Sequence, residues 1–355
     1  MSSRIRHVLV VAALAAAPMI GLASPAQACA CGGVVSPDAS ASVADETALV
    51  RWNGYEETIV LKLGLESDAD NAALVVPTPT PARVAAGKTA TFDELQRLTA
   101  PRVETKNEWW EAIGTSSPDS DGATAAAPLG SAPHVLAQVQ LGPLEATTLA
   151  GGDLTGLQTW LSTNGYAMKP EVTQSLAPYV SEGWAFVAMR LTSTKPLNGD
   201  LDPVQLTFAS DHFVYPMRMS AAATKPQSVR IYALADRRVE RRDVDAQNQQ
   251  VRTTFAGPIA HVEDPDLAAL VGDGTYLTSF TTYIGEPSKI TSDFLLGPAK
   301  NGDDYQQVTY VRHEVRILGI MAGPFLTGVA LFVLVDLFVL SWVIRRGRSR
   351  RAERA

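Results

Sequence analysis

An α+β, β-rich outward-facing domain of antiparallel sheets with a few short helices, plus one C-terminal transmembrane helix, is what this sequence of 355 residues predicts. Three observations predict it. The run from Ile317 to Ile344 holds 28 residues whose only ionisable member is Asp336, and roughly 20 apolar residues suffice for a helix to cross a bilayer core. At the other end, Arg4 and Arg6 precede the apolar stretch Val8 to Leu22 and then Ala26-Gln27-Ala28, the charged, apolar and small-residue order of a cleavable signal peptide. Between these ends lie short β-branched and aromatic runs divided by Gly, Pro and Asn, the pattern of strands and turns.

The ends orient the chain. Six arginines against one glutamate follow Ile344, and short loops rich in Lys and Arg stay cytoplasmic. The expected division is a signal peptide over 1–28, an extracytoplasmic domain over 29–316 with a flexible insertion at 114–134, a transmembrane helix over 317–344 and a basic cytoplasmic tail over 345–355. With both ends and Asp336 set aside, the outward residues carry a formal charge of −13. That balance speaks against a nucleic-acid partner, whose phosphates it would repel.

In chain order, Asn53-Gly54 between Thr47 to Trp52 and Glu57 to Leu65 predicts a β-hairpin. Ala72 to Val76 follows as a strand, and Pro77, Pro79 and Pro81 are expected to end it at a sheet edge or a rigid surface connector. Thr91-Phe92-Asp93-Glu94 reads as a capping box opening a helix to about Thr99, stopped by Pro101. Val135 to Leu144 reads as a strand. Asp153 then caps a helix with Leu154, Leu157, Trp160 and Leu161 on one face, ended by Asn164-Gly165. A helix over Glu171 to Tyr179 precedes strands over Trp184 to Thr192, Val204 to Phe208, Phe213 to Met219 and Val229 to Leu234. Asp236 to Gln250, with eight charges in its first ten residues, reads as a solvated loop or hairpin tip. A brief helix over Asp264 to Leu270 and strands over Tyr276 to Tyr283 and Gln307 to Val315 complete the outward part. Thr58 to Val76 and Phe186 to Phe208 both read as strand, polar loop, strand, a weak internal echo without a recurring period.

Five segments carry a resemblance: Cys31-Gly32-Gly33, the ETALV of Glu46 to Val50, VVPTPTPA from Val75 to Ala82, EGWAFVA from Glu182 to Ala188, and VYPMRMS from Val214 to Ser220. Together they resemble a bacterial family of unknown function whose members are secreted by a signal peptide and often tethered by a C-terminal helix. The resemblance covers most of residues 29–290. It implies a domain and a location, and no catalytic residue or cofactor.

Candidates for chemistry are few. Cys29 and Cys31 are the only cysteines. A tight, easily reduced disulfide is the favoured reading, and a soft metal such as Cu(I), with His212, Met217 or Met219 completing the set, is the alternative. Ser210-Asp211-His212 suggests a hydrolase, but triad members converge from separate parts of a fold, and the chain has no G-x-S-x-G elbow. Asp264, Asp266 and Asp273 fit no calcium-loop spacing and read as a solvated loop. His313-Glu314 lacks the second histidine of a zinc protease, and no nucleotide-binding glycine motif occurs, so no cofactor is expected. Asp336 is the sharper oddity, because a carboxylate in hydrocarbon costs some 2.5–3.5 kcal/mol on insertion scales and so tends to meet a partner helix. The function expected is that of a non-enzymatic binding module, tethered in the lipid bilayer and engaging an envelope protein partner. Metal or redox handling through Cys29 and Cys31 is the alternative, and an unrecognised envelope hydrolase the third.

Overall fold

The computed structural model describes residues 32–37, 41–110, 135–141, 144–149, 154–166, 170–193, 197, 199–223, 225–272 and 275–352. The expected signal peptide over 1–28, Cys29, Cys31, Asp153, Asp273 and the expected insertion at 114–134 lie outside these. The hairpin forms where Asn-Gly predicts it: β2 (Ser42–Trp52) pairs antiparallel with β3 (Glu56–Glu66). Gly54 takes a φ of +102°, and the Asn53 side chain accepts from the Tyr55 and Glu56 amides at 3.2 and 2.9 Å.

Two sheets build the core. The larger, of nine strands, runs β18 (Tyr305–Gln306), β15 (Gln250–Pro258), β16 (Tyr276–Ile284), β13 (Gln227–Ala235), β2, β3, β11 (Val204–Ala209) and β5 (Arg83–Ala86), with β10 (Gly199–Asp200) also on β3. The smaller runs β1 (Gly33–Val35), β4 (Asn71–Thr78), β9 (Ala185–Thr192), β8 (Leu144–Leu149) and β7 (Val135–Leu141). Pairing is antiparallel throughout, except that β13 runs parallel to β2.

Strand alternation then divides the apolar residues among three cores. Val50, Leu61, Leu206 and Ile231 from the large sheet meet Leu74, Val76, Val187 and Met189 from the small one. The opposite face of the small sheet, with Val75, Phe186 and Ala188, is covered by α2 (Leu154–Thr163) and α3 (Pro170–Ser181) through Leu157, Leu161, Leu176 and Tyr179. The opposite face of the large sheet, with Leu49, Val60, Tyr232 and Leu277, is covered by α1 (Thr89–Leu98) and α4 (Pro265–Leu270) through Phe92, Leu95 and Leu267. The result is a four-layer α/β/β/α sandwich, in which both sheets must be apolar on both faces.

That layering corrects several expectations. β4 is not an edge: it lies between β1 and β9, with Pro77 opposite Phe186. Its unbroken ALVV run has no polar face because both faces are buried. The Thr91 capping box does not form. α1 begins at Thr89, and Thr91 donates instead to Asp264 Oδ1 at 2.8 Å, while Glu94 accepts from Arg97 and the Glu263 amide. Asp264 is likewise no solvated loop residue, since it caps α4 by accepting from the Leu267 amide. Val135 to Leu144 is not one strand: β7 ends at Leu141, and Leu144 begins β8, which pairs with it antiparallel. Phe213 to Met219 is not one strand: β12 (Val214–Tyr215) stops at Pro216, and a 3-10 turn spans Arg218–Ala222. The two echoing segments each cross between the sheets in opposite directions, β3 to β4 and β9 to β11, and pair with one another.

The charged run from Asp236 is the largest correction. It contains β14 (Val239–Arg241), which pairs with β17 (Phe294–Pro298), itself paired with β12, and a 3-10 turn at Val244–Gln247. The side chains of Arg241 and Asp243 are 1% and 0% exposed and paired with each other. Charge density cannot distinguish a solvated run from one that folds its charges against each other.

Beyond the sandwich, β6 (Arg102–Glu108) and β19 (Val308–Glu314) form a two-stranded parallel ribbon, mostly exposed. A tight hairpin of β20 (Arg316–Ile317) and β21 (Ile320–Met321) leads into α5 (Ala322–Ala352). The apolar run therefore spends residues 317–321 on the hairpin, and the helix starts later than expected. Ala322–Arg346 is long and apolar enough to cross a membrane, with mean hydropathy 2.3, and every residue from Leu326 to Arg346 is exposed.

Candidate functional site

Three of the five segments that carry the resemblance converge on one open cavity of about 420 Å³. EGWAFVA supplies Glu182 and Trp184, VYPMRMS supplies Val214 and Arg218, and the proline connector supplies Pro79. Ser210, Asp211 and His212 form one wall, and Thr291 to Asp293 with Leu295 form another.

Local chemistry explains each placement. α3 ends in a Schellman stop: Gly183 has φ +78°, its amide donates to Val180 O at 3.1 Å, and the Trp184 amide donates to Tyr179 O at 2.9 Å. The chain reverses there and leaves Glu182 and Trp184 on the cavity rim. In VYPMRMS, Met217 is buried between the sheets and Met219 beneath α3. The two methionines thus anchor the segment in different layers and leave Arg218 between them facing the cavity. The wall at Ser210 is tied to the β2–β3 hairpin: Trp52 Nε1 donates to Ser210 O at 2.9 Å, the Ser210 amide to Tyr55 O at 3.0 Å, and Trp52 stacks on Phe213. Thr80 Oγ1 donates to Ala209 O at 2.8 Å and fixes the proline connector beside it.

Arg218 is the hub. Its Nε donates to Asp293 Oδ2 at 2.8 Å and its terminal nitrogens to both oxygens of Glu182. Its guanidinium lies 4.3 Å from the centre of the Tyr179 ring and 5.8 Å from Trp184. Asp293, 7% exposed at its side chain, also accepts from the Met217 and Arg218 amides at 2.7 and 3.0 Å and from the Tyr179 hydroxyl. Burial and the Asp293 carboxylate push the Tyr179 hydroxyl well above its usual pKa, so it stays a donor. Burial works against the Arg218 charge, but Glu182 and Asp293 outweigh it and raise its pKa. The same pairing lowers the pKa of Glu182. Behind Asp293, Asp245 accepts from the Thr291 and Ser292 amides at 2.7 and 2.9 Å and from Thr291 Oγ1 at 2.8 Å. Burial opposes the Asp245 charge, yet these bonds hold its pKa low. The loop bearing Asp293 is thereby set by the segment that sequence alone reads as solvated.

A family model described as "Uncharacterized protein conserved in bacteria (DUF2330)" matches residues 25–297. The chain belongs to this family. The match ends within β17, so the cavity lies inside the family domain, and β19 and α5 lie beyond it. No curated protein matches the chain. Among solved structures, the crystal structure of baculovirus P35 aligns with 75% of this chain and 97% of its own at 7% identity, with a TM-score of 0.28. A likeness that weak carries no argument about fold or function.

Within this DUF2330 domain, the three residues that suggest a hydrolase do line the cavity without forming a relay. Ser210 Oγ donates to the His212 carbonyl at 2.6 Å and accepts from the His212 amide. The hydroxyl is committed to the backbone of its own turn. Met217 and Met219, the soft donors considered for a metal, fill two separate cores and do not gather with His212. Among the described residues, no three His, Cys, Asp or Glu side chains are grouped to hold a metal. Asp336 lies on the exposed surface of α5, within the apolar window.

Sequence reasoning misses Tyr179, Asp293, Asp245 and Glu57. Glu57 on β3 is fully buried behind the cavity, where Oε2 accepts from the Val214 amide at 3.2 Å and Oε1 has no hydrogen-bond partner. Burial raises its pKa well above the ordinary carboxylate value, and the Val214 bond offsets this only in part. A raised pKa in the folded state favours folding below the unfolded value, about 4.3, and that contribution is lost as pH rises towards the folded value. Glu57→Gln removes the titration. Urea unfolding is expected to show the variant gaining on the wild type by about 1.4 kcal/mol per pH unit above pH ~4.3, until the folded pKa is reached. A difference independent of pH would mean that Glu57 is ionised in the fold.

Proposed function

We propose that this protein is a non-enzymatic binding module of the bacterial cell envelope, anchored by α5 as a single pass with the sandwich outside and the basic tail inside. The cavity is its recognition surface. One observation carries the reading: the cavity is concave and charged, yet its ionic groups are spent on one another rather than paired as nucleophile and base. Glu182, Asp293 and exposed Asp211 set three carboxylates against the single guanidinium of Arg218, beside the apolar surfaces of Pro79, Trp184 and Leu295. That balance suits a basic side chain flanked by apolar ones, presented by an envelope protein, and opposes an acidic one. Asp336 supplies a second contact, to a polar or basic group on a partner's membrane helix.

A photoreactive amino acid at Asp211, in native membranes, is expected to give a discrete covalent adduct. One at Tyr305, on the far edge of the large sheet, is expected to give none. Asp336→Leu is expected to weaken the adduct without abolishing it. Identical patterns from Asp211 and Tyr305 would overturn the assignment of the cavity.

A further inference from the structure

The two strands of the ribbon run parallel, so both reach its α5 end together. Glu314 pairs with Glu108, which brings Trp109 and Trp110 level with Val315 and Arg316. Backbone bonds close the junction: the Ala322 amide donates to Val315 O at 2.7 Å and the Gly323 amide to Trp109 O at 2.8 Å. Two amides that a helix start leaves open are thereby satisfied. Gly323 is bare because an indole occupies the space, and a Cβ there would lie 2.6 Å from a ring carbon of Trp110. The intervening hairpin turns through Leu318, at φ +51°, and Gly319, at φ +82°. A leucine in left-handed backbone costs about 1–2 kcal/mol, and this one is 86% exposed. Trp109, Trp110 and Ile320 are also large apolar side chains left about half exposed.

We infer that Trp109, Trp110, Leu318 and Ile320 form a collar seated in the headgroup layer of a lipid bilayer at the point where α5 enters it. The inference rests on α5 being a membrane span. Lipid is the occupant because the collar is continuous with the uncovered apolar surface of α5, and indole rings concentrate at that depth. The nearby charges are already paired, Arg316 with Glu314 at 2.7 Å and Arg312 with Glu108 at 3.3 Å. With seven residues per strand, the ribbon would stand the sandwich about 23 Å above this collar.

The test is fluorescence quenching of the full chain in phosphatidylcholine vesicles whose acyl chains are brominated near the glycerol end. Trp342 lies inside α5 and reports insertion by itself. In the Trp342→Phe chain, brominated lipid is expected still to quench, and adding Trp109→Phe and Trp110→Phe is expected to remove that quenching. If the chain keeping Trp342 but lacking both collar tryptophans is quenched while the Trp342→Phe chain is not, the anchor stands and the collar is wrong. If neither is quenched, the membrane reading fails and the collar with it.

Discussion

Asp293→Ala is expected to destabilise the protein by about 3–5 kcal/mol, the range for removing one partner of a buried ion pair. The carboxylate accepts from two amides, the Tyr179 hydroxyl and Arg218 Nε. Alanine strands the Met217 amide and the buried Tyr179 hydroxyl, and unsatisfied buried groups cost more than the bonds themselves gain. Asp293→Asn keeps one acceptor oxygen and is expected to cost less, about 1–3 kcal/mol. Urea unfolding at neutral pH, with unchanged denaturant dependence, measures both. A loss below about 1 kcal/mol for the alanine variant would mean that Arg218 and the Met217–Arg218 backbone are held by other contacts.

The second large effect is expected at Arg241. Its side chain is almost wholly buried against Asp243, lies 3.5 Å from the centre of the Phe294 ring, and donates to Gln249 Oε1 at 2.6 Å. Arg241→Ala leaves the Asp243 charge uncompensated and is also expected to cost about 3–5 kcal/mol. Arg241→Met with Asp243→Leu removes both charges at similar volume and is expected to recover most of that loss, because two buried ions cost desolvation that apolar side chains do not. If the double variant is no better than the single one, the bond from Ser292 to Asp243 and the bond from Arg241 to Gln249 matter more than the charges do. Asp243 also accepts from Ser292 Oγ at 3.3 Å, so Arg241→Ala and Asp293→Ala act on one loop. Their effects should combine non-additively, with a coupling in the range of about 0.5–3 kcal/mol.

What the sequence discloses follows from how local each determinant is. The Asn53-Gly54 hairpin, the stop at Asn164-Gly165, the α4 start at Asp264 and the apolar α5 depend on neighbours in the chain, and they are legible there. β4 fails as an edge because its ALVV run reports burial on both faces but not which sheet buries it. The Thr91 box fails because a distant acceptor, Asp264, competes for the hydroxyl. β6 is invisible: a ribbon exposed on both sides has no hydrophobic alternation to read. The site is legible in part. Glu182, Trp184 and Arg218 stand in segments that draw attention as sequence, and the fold brings them together. Asp293 sits in a Thr-Ser-Asp stretch like any polar loop, Tyr179 reads only as the end of a helix, and Asp245 is hidden in a charged run. Their roles exist only in three dimensions.

Calorimetric titration of the full chain, in nanodiscs at low salt, with short peptides of one basic and two apolar residues and with matched acidic peptides, measures whether the cavity recognises a basic side chain. The basic peptides are expected to bind, binding to weaken as salt is raised, and Asp211→Lys to weaken it at least tenfold while leaving the Arg218 cluster intact, as this assignment of the cavity requires. Equal binding of acidic and basic peptides, or basic-peptide affinity unchanged in Asp211→Lys, would contradict it.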